Sequence, residues 1–209
     1  MIISSSFEEI MSILSNINEE KKTKNKNAFN YKHGDEWYTT KEDVEYFIEH
    51  SKIPKNKIIW CPFDTKDSNF VKIFKKHGYK VVYSHILTGK DFFKYQPKKW
   101  DIICSNPPFR NKHLLLDRLL EFGDKQWALI FGIQCLNSEK FCDKLQKFKR
   151  PQYIHLKRRM CFTKDMKNYD VLKLERPSFA SMWVCNNLFQ KDIIVWNGVN
   201  YKKDNKEYC

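Results

Sequence analysis

From Lys57 onward, short runs of β-branched and aromatic residues alternate with amphipathic stretches of helical spacing. Apolar strands read at Lys57–Cys61, Lys80–Ser84, Asp101–Ser105 and Trp127–Phe131. Between them, Ser68–His77 carries Phe70, Val71, Ile73 and Phe74 at helical positions, with Gly78 as a C-cap. His113–Phe122 is a leucine-rich helix closed by Gly123, and Glu139–Lys149 is a further helix stopped before Pro151. Tyr153–Leu156, Ser181–Cys185 and Ile193–Trp196 are later strands. Such alternation builds an α/β fold, with a mostly parallel sheet covered on both faces. Ligands in such sheets bind at the C-terminal ends of the strands.

Upstream of this pattern, Ser6-Phe7-Glu8-Glu9 reads as a capping box, and Ile10, Ile13, Leu14 and Ile17 continue a helix to about Asn18. Glu20–Tyr31 is a polar, Lys/Asn-rich loop. Thr40–Asp43 offers a second helix start, with Val44, Phe47 and Ile48 on one face. The expected organisation is an N-terminal helix and basic loop over residues 1–33. One α/β domain then spans 34–200, and a polar, frayed tail 201–209.

The chain of 209 residues is long enough for one sizeable core. Its apolar share, 42% hydrophobic and 15% aromatic, excludes general disorder. The longest nearly apolar run, Trp127–Ile133, is too short to cross a bilayer, and the N-terminus has no basic-then-apolar leader pattern. A cytoplasmic protein with no membrane partner is expected. Seven cysteines without a C-x-x-C pair fit reduced thiols better than a disulfide framework. Cys135, Cys142, His155 and Cys161 match no zinc spacing, so no metal site is expected.

The formal charge of +13 is concentrated. Lys140–Arg176 holds twelve Lys/Arg against four Asp/Glu, and Glu20–Lys32 holds five Lys against one Glu. These segments are either solvated basic faces or phosphate-binding surfaces. Lysine outnumbers arginine 32 to 6, which favours phosphate neutralisation over bidentate base contacts. Within the first segment, Lys157, Arg158, Arg159 and Lys164 are the candidate nucleic-acid contacts. Arg158-Arg159 before Met160-Cys161-Phe162 reads equally as a loop beside a displaced base or as a basic turn.

Asp101–Phe109 carries the chemistry. A buried strand runs directly into Asn106-Pro107-Pro108-Phe109. The prolines cannot continue the ladder, because they lack an N–H and fix φ, so the chain leaves the sheet where a ligand would sit. Pro108 confines Pro107 to extended geometry and so aims its carbonyl. The Asn106 amide oxygen and the Pro107 carbonyl form two acceptors suited to an exocyclic amino group, and Phe109 can stack on a planar heterocycle. Accepting both hydrogens would favour a pyramidal nitrogen and expose its lone pair to an electrophile.

This turn resembles the catalytic motif of S-adenosylmethionine-dependent amino-methyltransferases. Asp35-Glu36-Trp37-Tyr38-Thr39-Thr40, Pro62-Phe63-Asp64 with Ser68-Asn69-Phe70, and Gly89-Lys90-Asp91-Phe92-Phe93 are similar to segments of the EcoRI-like adenine-specific DNA methyltransferases. The small versions carried by phages and mobile elements are included in that likeness, which runs from about Gly34 to Gly132. It implies a Rossmann-like class I methyltransferase fold in a single domain, the cofactor S-adenosylmethionine, DNA as partner, and methyl transfer to adenine N6. Under it, Asn106, Pro107, Pro108 and Phe109 are catalytic. Tyr38, Thr39, Pro62, Phe63, Asp64, Asp91 and Phe92 are cofactor-binding. Tyr38 read alone is equally a packed aromatic, and Asp64 a turn carboxylate. The chain departs from the family in lacking a Gly-rich loop after the first strand, and in carrying Ser84-His85-Ile86 where a ribose-binding acid usually stands. RNA methylation at the same pocket is one alternative, and a non-catalytic nucleic-acid-binding relative of the fold is another.

Overall fold

The computed structural model describes residues 37–108, 112–164, 174, 178–203 and 206–207. Contacts divide the chain into Met1–Gly34 and Asp35–Cys209, and every described residue belongs to the second unit. The helix and basic loop expected before residue 34, and Phe109, lie outside the described residues.

The strands are β1 (Tyr38–Thr39), β2 (Ile58–Cys61), β3 (Lys80–Tyr83), β4 (Ile102–Ser105), β5 (Gln126–Gly132), β6 (Pro151–Leu156), β7 (Phe162–Thr163), β8 (Ser181–Asn186), β9 (Ile193–Trp196), β10 (Lys202–Lys203) and β11 (Lys206–Glu207). The helices are α1 (Lys41–Ser51), α2 (Asn69–Lys76), α3 (Lys112–Leu120) and α4 (Glu139–Leu145). Seven strands form one sheet in the order β3-β2-β4-β5-β8-β6-β9, while β1 pairs with β7 and β10 with β11.

The sheet is mixed. Strands β2–β3, β2–β4, β4–β5 and β6–β9 pair in parallel, but β8 runs antiparallel to both β5 and β6. All six residues of β8 are buried, so its sequence shows no polar face that would betray direction. Reversing twice across β8 makes β6 and β9 co-directional with β2, β4 and β5. The C-terminal ends of six strands therefore share one edge of the sheet.

Alternation along the central strands fills two cores. Ile59, Cys61, Ile102, Cys104, Ala128, Ile130, Trp183 and Cys185 face α1 and α2, through Val44, Phe47, Phe70 and Phe74. Trp60, Ile103, Trp127, Leu129, Phe131 and Val184 face α3 and α4, through Leu115, Leu116, Leu119, Phe141 and Leu145. The period of two along each strand thus supplies both helical layers. Phe47 stacks on Trp183 with ring centroids 4.1 Å apart, joining α1 to the middle of β8.

Several local expectations change. Helix α4 ends at Leu145, short of Lys149: Lys147 N–H and Phe148 N–H donate to the Lys144 and Leu145 carbonyls in a tightened final turn. Strand β6 begins at Pro151, a first-residue position that needs no N–H. Tyr201 heads the segment read as a frayed tail, yet it is only 6% exposed. Five described cysteines, Cys61, Cys104, Cys135, Cys142 and Cys185, carry free thiols. No described helix is long and apolar enough to cross a membrane.

Candidate active site

Strands β3 and β4 lie on opposite sides of β2, so the chain reverses its direction of travel across the sheet at the β2–β4 pair. A crevice opens outside the carboxyl ends of two such strands. The residues that follow β2 are Pro62, Phe63 and Asp64, and those that follow β4 are Asn106, Pro107 and Pro108. Two of the segments singled out in the sequence therefore meet at the switch point.

A direct bond joins them. The Ser105 hydroxyl donates to Asp64 Oδ2 at 2.5 Å. Asp64 is buried, and loss of hydration raises its pKa from 3.8 to about 6, against the opposing effect of hydrogen bonds from Ser105 and Ser68. Its N–H donates to the Ser84 carbonyl, which binds the turn to the end of β3 as well. Asp64 is thus a strap across three strand ends. Ser84, standing where an acid was expected, accepts from the Trp60 indole N–H at 3.0 Å. Its position is taken by the strand framework.

Asn106 is oriented from outside the sheet. Its Nδ2 donates to the Trp37 carbonyl at 2.8 Å. A carbonyl only accepts, so this contact fixes which end of the amide faces inward. Asn106 Oδ1 is then buried without a hydrogen-bond partner, as is Thr39 Oγ1. A buried acceptor left unmade costs about 1–3 kcal/mol, so each such oxygen calls for a partner such as a ligand or an ordered water. Trp127 Nε1 and Ser181 Oγ are in the same condition. Pro107 is buried and Pro108 exposed.

Strand β1 is held on several sides. Tyr38 and Thr39 pair with Thr163 and Phe162 of β7. The Asn69 amide, from the first residue of α2, donates to the Thr39 carbonyl at 2.8 Å. Trp37 packs edge-on to Phe162 and carries the Lys164 ammonium 4.6 Å above its ring. Trp37, Asn69, Ser105 and Phe162 are the site residues that the sequence reading did not single out. All four stood within quoted segments, but nothing in their spacing marks them as anchors.

The other candidates divide. Phe63 is half-buried, with its ring 4.9 Å from that of Phe92. Phe92 is buried in the core against Trp60, which leaves only its backbone to face a ligand. Asp91 closes its own turn by accepting from the Phe93 N–H at 3.1 Å. Lys157, Arg158 and Arg159 are exposed just past the end of β6, on the same sheet edge as Asn106, and Lys164 is exposed past β7. Of the rejected zinc set, Cys135 and Cys161 are buried, whereas His155 is exposed and Cys142 partly so.

No protein-family model and no curated protein matches this sequence. Among solved structures, the chain is similar to a modification subunit assigned to a type I restriction enzyme from Vibrio vulnificus YJ016. The identity is 13% and the TM-score 0.48, over 90% of this chain and 51% of that one. It is also similar to a dimethyladenosine transferase from Plasmodium falciparum at 13% identity and a TM-score of 0.44, over 72% of this chain and 62% of that one. The chain therefore spans about half to three-fifths of the length of these structures. At such identities and scores neither likeness bears on function.

Proposed function

We propose that this protein transfers a methyl group from S-adenosylmethionine to the N6 amino group of adenine in DNA. The observation that carries the reading is the Asn106 amide. Its nitrogen is spent on the Trp37 carbonyl, and its oxygen is buried without a partner just past the end of β4. The flanking Pro107 carbonyl supplies a second acceptor of fixed direction. An exocyclic amino group presents two N–H donors, and holding both acceptors on it localises the nitrogen lone pair. Asn106, Pro107 and Pro108 shape this turn, and Phe109 is assigned to stacking on the base.

The cofactor fits the opposite wall of the crevice. Thr39 Oγ1 is another orphaned buried oxygen, on the strand that carries Tyr38 and reaches the Asn106 turn through Trp37. Tyr38, Thr39, Pro62, Phe63, Asp64, Asp91 and the Phe92 backbone would hold the cofactor, which supplies an electrophilic methyl group. Ser105 and Asp64 keep the two walls at a fixed spacing.

An adenine within a duplex would have to leave the stack to reach Asn106. Lys157, Arg158, Arg159 and Lys164 stand at the same edge to hold the phosphates. The deciding experiment is a labelled methyl-transfer assay on duplex DNA, single-stranded DNA and RNA, with digestion to the modified nucleoside. N6-methyladenine in DNA is the expected product. Transfer to RNA alone would move the substrate. Absence of both transfer and S-adenosylmethionine binding would favour a non-catalytic nucleic-acid binder.

A further inference from the structure

Beneath β1 lies a buried polar cluster that the methyl-transfer reading does not use. Asp43 and Tyr201 are 4% and 6% exposed, and Thr40 is fully buried. The Tyr201 hydroxyl donates to Asp43 Oδ2 at 2.5 Å and lies 2.6 Å from Thr40 Oγ1. Thr40 Oγ1 is in turn 3.0 Å from Asp43 Oδ2. Three oxygens therefore form a closed triangle with hydrogen-bond distances on every edge.

Three edges need three protons, and the two hydroxyls supply two. A protonated Asp43 carboxyl supplies the third, and the ring is then complete. An ionised Asp43 leaves one edge with two lone pairs facing each other. Burial acts in the same direction and raises the Asp43 pKa from 3.8 to about 7. Against burial, the hydrogen bonds from the Tyr201 and Thr40 hydroxyls and the Cys161 amide pull the value down, while the Glu42 charge raises it.

The cluster reaches both strands of the small β1–β7 sheet. Thr40 directly follows Thr39, and Cys161 directly precedes Phe162, its register partner. Three residues before Thr40 stands Trp37, whose carbonyl fixes Asn106. We propose that Tyr201, acting through Asp43 and Thr40, is a positioning residue that sets β1, and with it the Trp37 carbonyl, against the Asn106 turn, and that the setting holds while the cluster retains its third proton. This rests on the methyl-transfer reading only for its effect on rate.

The test uses the full chain and the variants Tyr201→Phe and Asp43→Asn. Amide exchange is read by mass spectrometry without ligand and corrected for intrinsic pH dependence. Methyl transfer is read in single turnovers at saturating cofactor, with thermal unfolding as a check on folding. In Tyr201→Phe, exchange over residues 37–40 and 104–108 rises about tenfold while that over Ser181–Asn186 stays unchanged, and the single-turnover rate falls about tenfold. The wild type shows the same loosening as pH rises through about 7. An asparagine at position 43 can donate from its amide as the protonated acid does. Asp43→Asn therefore keeps low exchange and a high rate, and lacks the neutral-pH change. Unchanged exchange at 104–108 in a folded Tyr201→Phe protein would overturn the proposal. So would an Asp43→Asn protein that keeps the wild-type pH profile. If the wild type transfers no methyl group, the functional reading fails, while the exchange experiment still decides the coupling.

Discussion

The Ser105 hydroxyl and the Asp64 carboxylate meet at 2.5 Å, so the last residue of β4 is bonded to the turn that leaves β2. The bond ties the two strand ends together, and the Asp64 carboxyl it holds is buried. Burial raises the Asp64 pKa above its unfolded value, from 3.8 to about 6. The associated stability is therefore fully present below about 4 and is lost as pH rises through about 6. Asp64→Asn is expected to flatten this part of the stability curve. Its difference from the wild type should change by up to about 3 kcal/mol across that window. Denaturant titrations at a series of pH values measure it. Parallel curves for the two proteins would show that Asp64 titrates normally.

Asn106→Ala removes one of two acceptors and leaves the turn's prolines in place. Loss of a single preorganised group of this kind lowers a rate by about 100- to 1,000-fold. Cofactor affinity should change little, because the proposed reading gives Asn106 to the substrate and not to the cofactor. Calorimetry with S-adenosylmethionine beside a single-turnover assay separates the two effects. Retention of full activity would remove Asn106 from the chemistry.

Gln152 is a stability residue at the other end of β6. It is fully buried, and its Nε2 donates to the Phe189 and Lys191 carbonyls at 2.7 and 2.8 Å. Its Oε1 accepts from the Leu188 and Phe189 N–H groups at 2.7 and 2.9 Å. One amide thus satisfies four backbone groups of the β8–β9 connection. Gln152→Leu strands four backbone groups, each costing about 1–3 kcal/mol unless water reaches it. A drop in unfolding free energy of roughly 3 kcal/mol or more is expected. Methyl transfer measured well below the melting temperature should be unchanged.

Arg158 and Arg159 stand exposed at the same sheet edge as the Asn106 turn. If they neutralise DNA phosphates, Arg158→Gln and Arg159→Gln each flatten the plot of log affinity against log salt by about 0.9. Binding should weaken similarly on unrelated sequences. Fluorescence anisotropy over a salt series measures the slope, and a slope equal to that of the wild type would leave these arginines as a solvated turn.

The seven strands of the main sheet were legible because β-branched and aromatic runs such as Ile58–Cys61 and Ile102–Ser105 sit between helical spacings. The turn after β4 was legible because paired prolines end a ladder by chemistry alone. Strand β8 was legible as a strand but not as an antiparallel one, since a run buried on both faces reads the same in either direction. Strands β1 and β7 were missed because two residues are too few to show a period. The Tyr201 cluster was hidden for another reason. A single aromatic among Asn, Lys and Asp has no pattern to join, and its partner Asp43 lies 158 positions away.

Because β5 takes β8 as its neighbour and β6 waits beyond it, the sheet cannot be laid down in the order the chain is made. As the polypeptide leaves the ribosome, β5 stands with one side bare until Asn186, its last partner's end, has been added. For the more than fifty residues in between, an uncovered strand of seven mostly buried positions is open to mispairing with another chain. A chain cut before Asn186 carries that bare flank permanently. Such fragments should collect as aggregates and not as smaller versions of the fold.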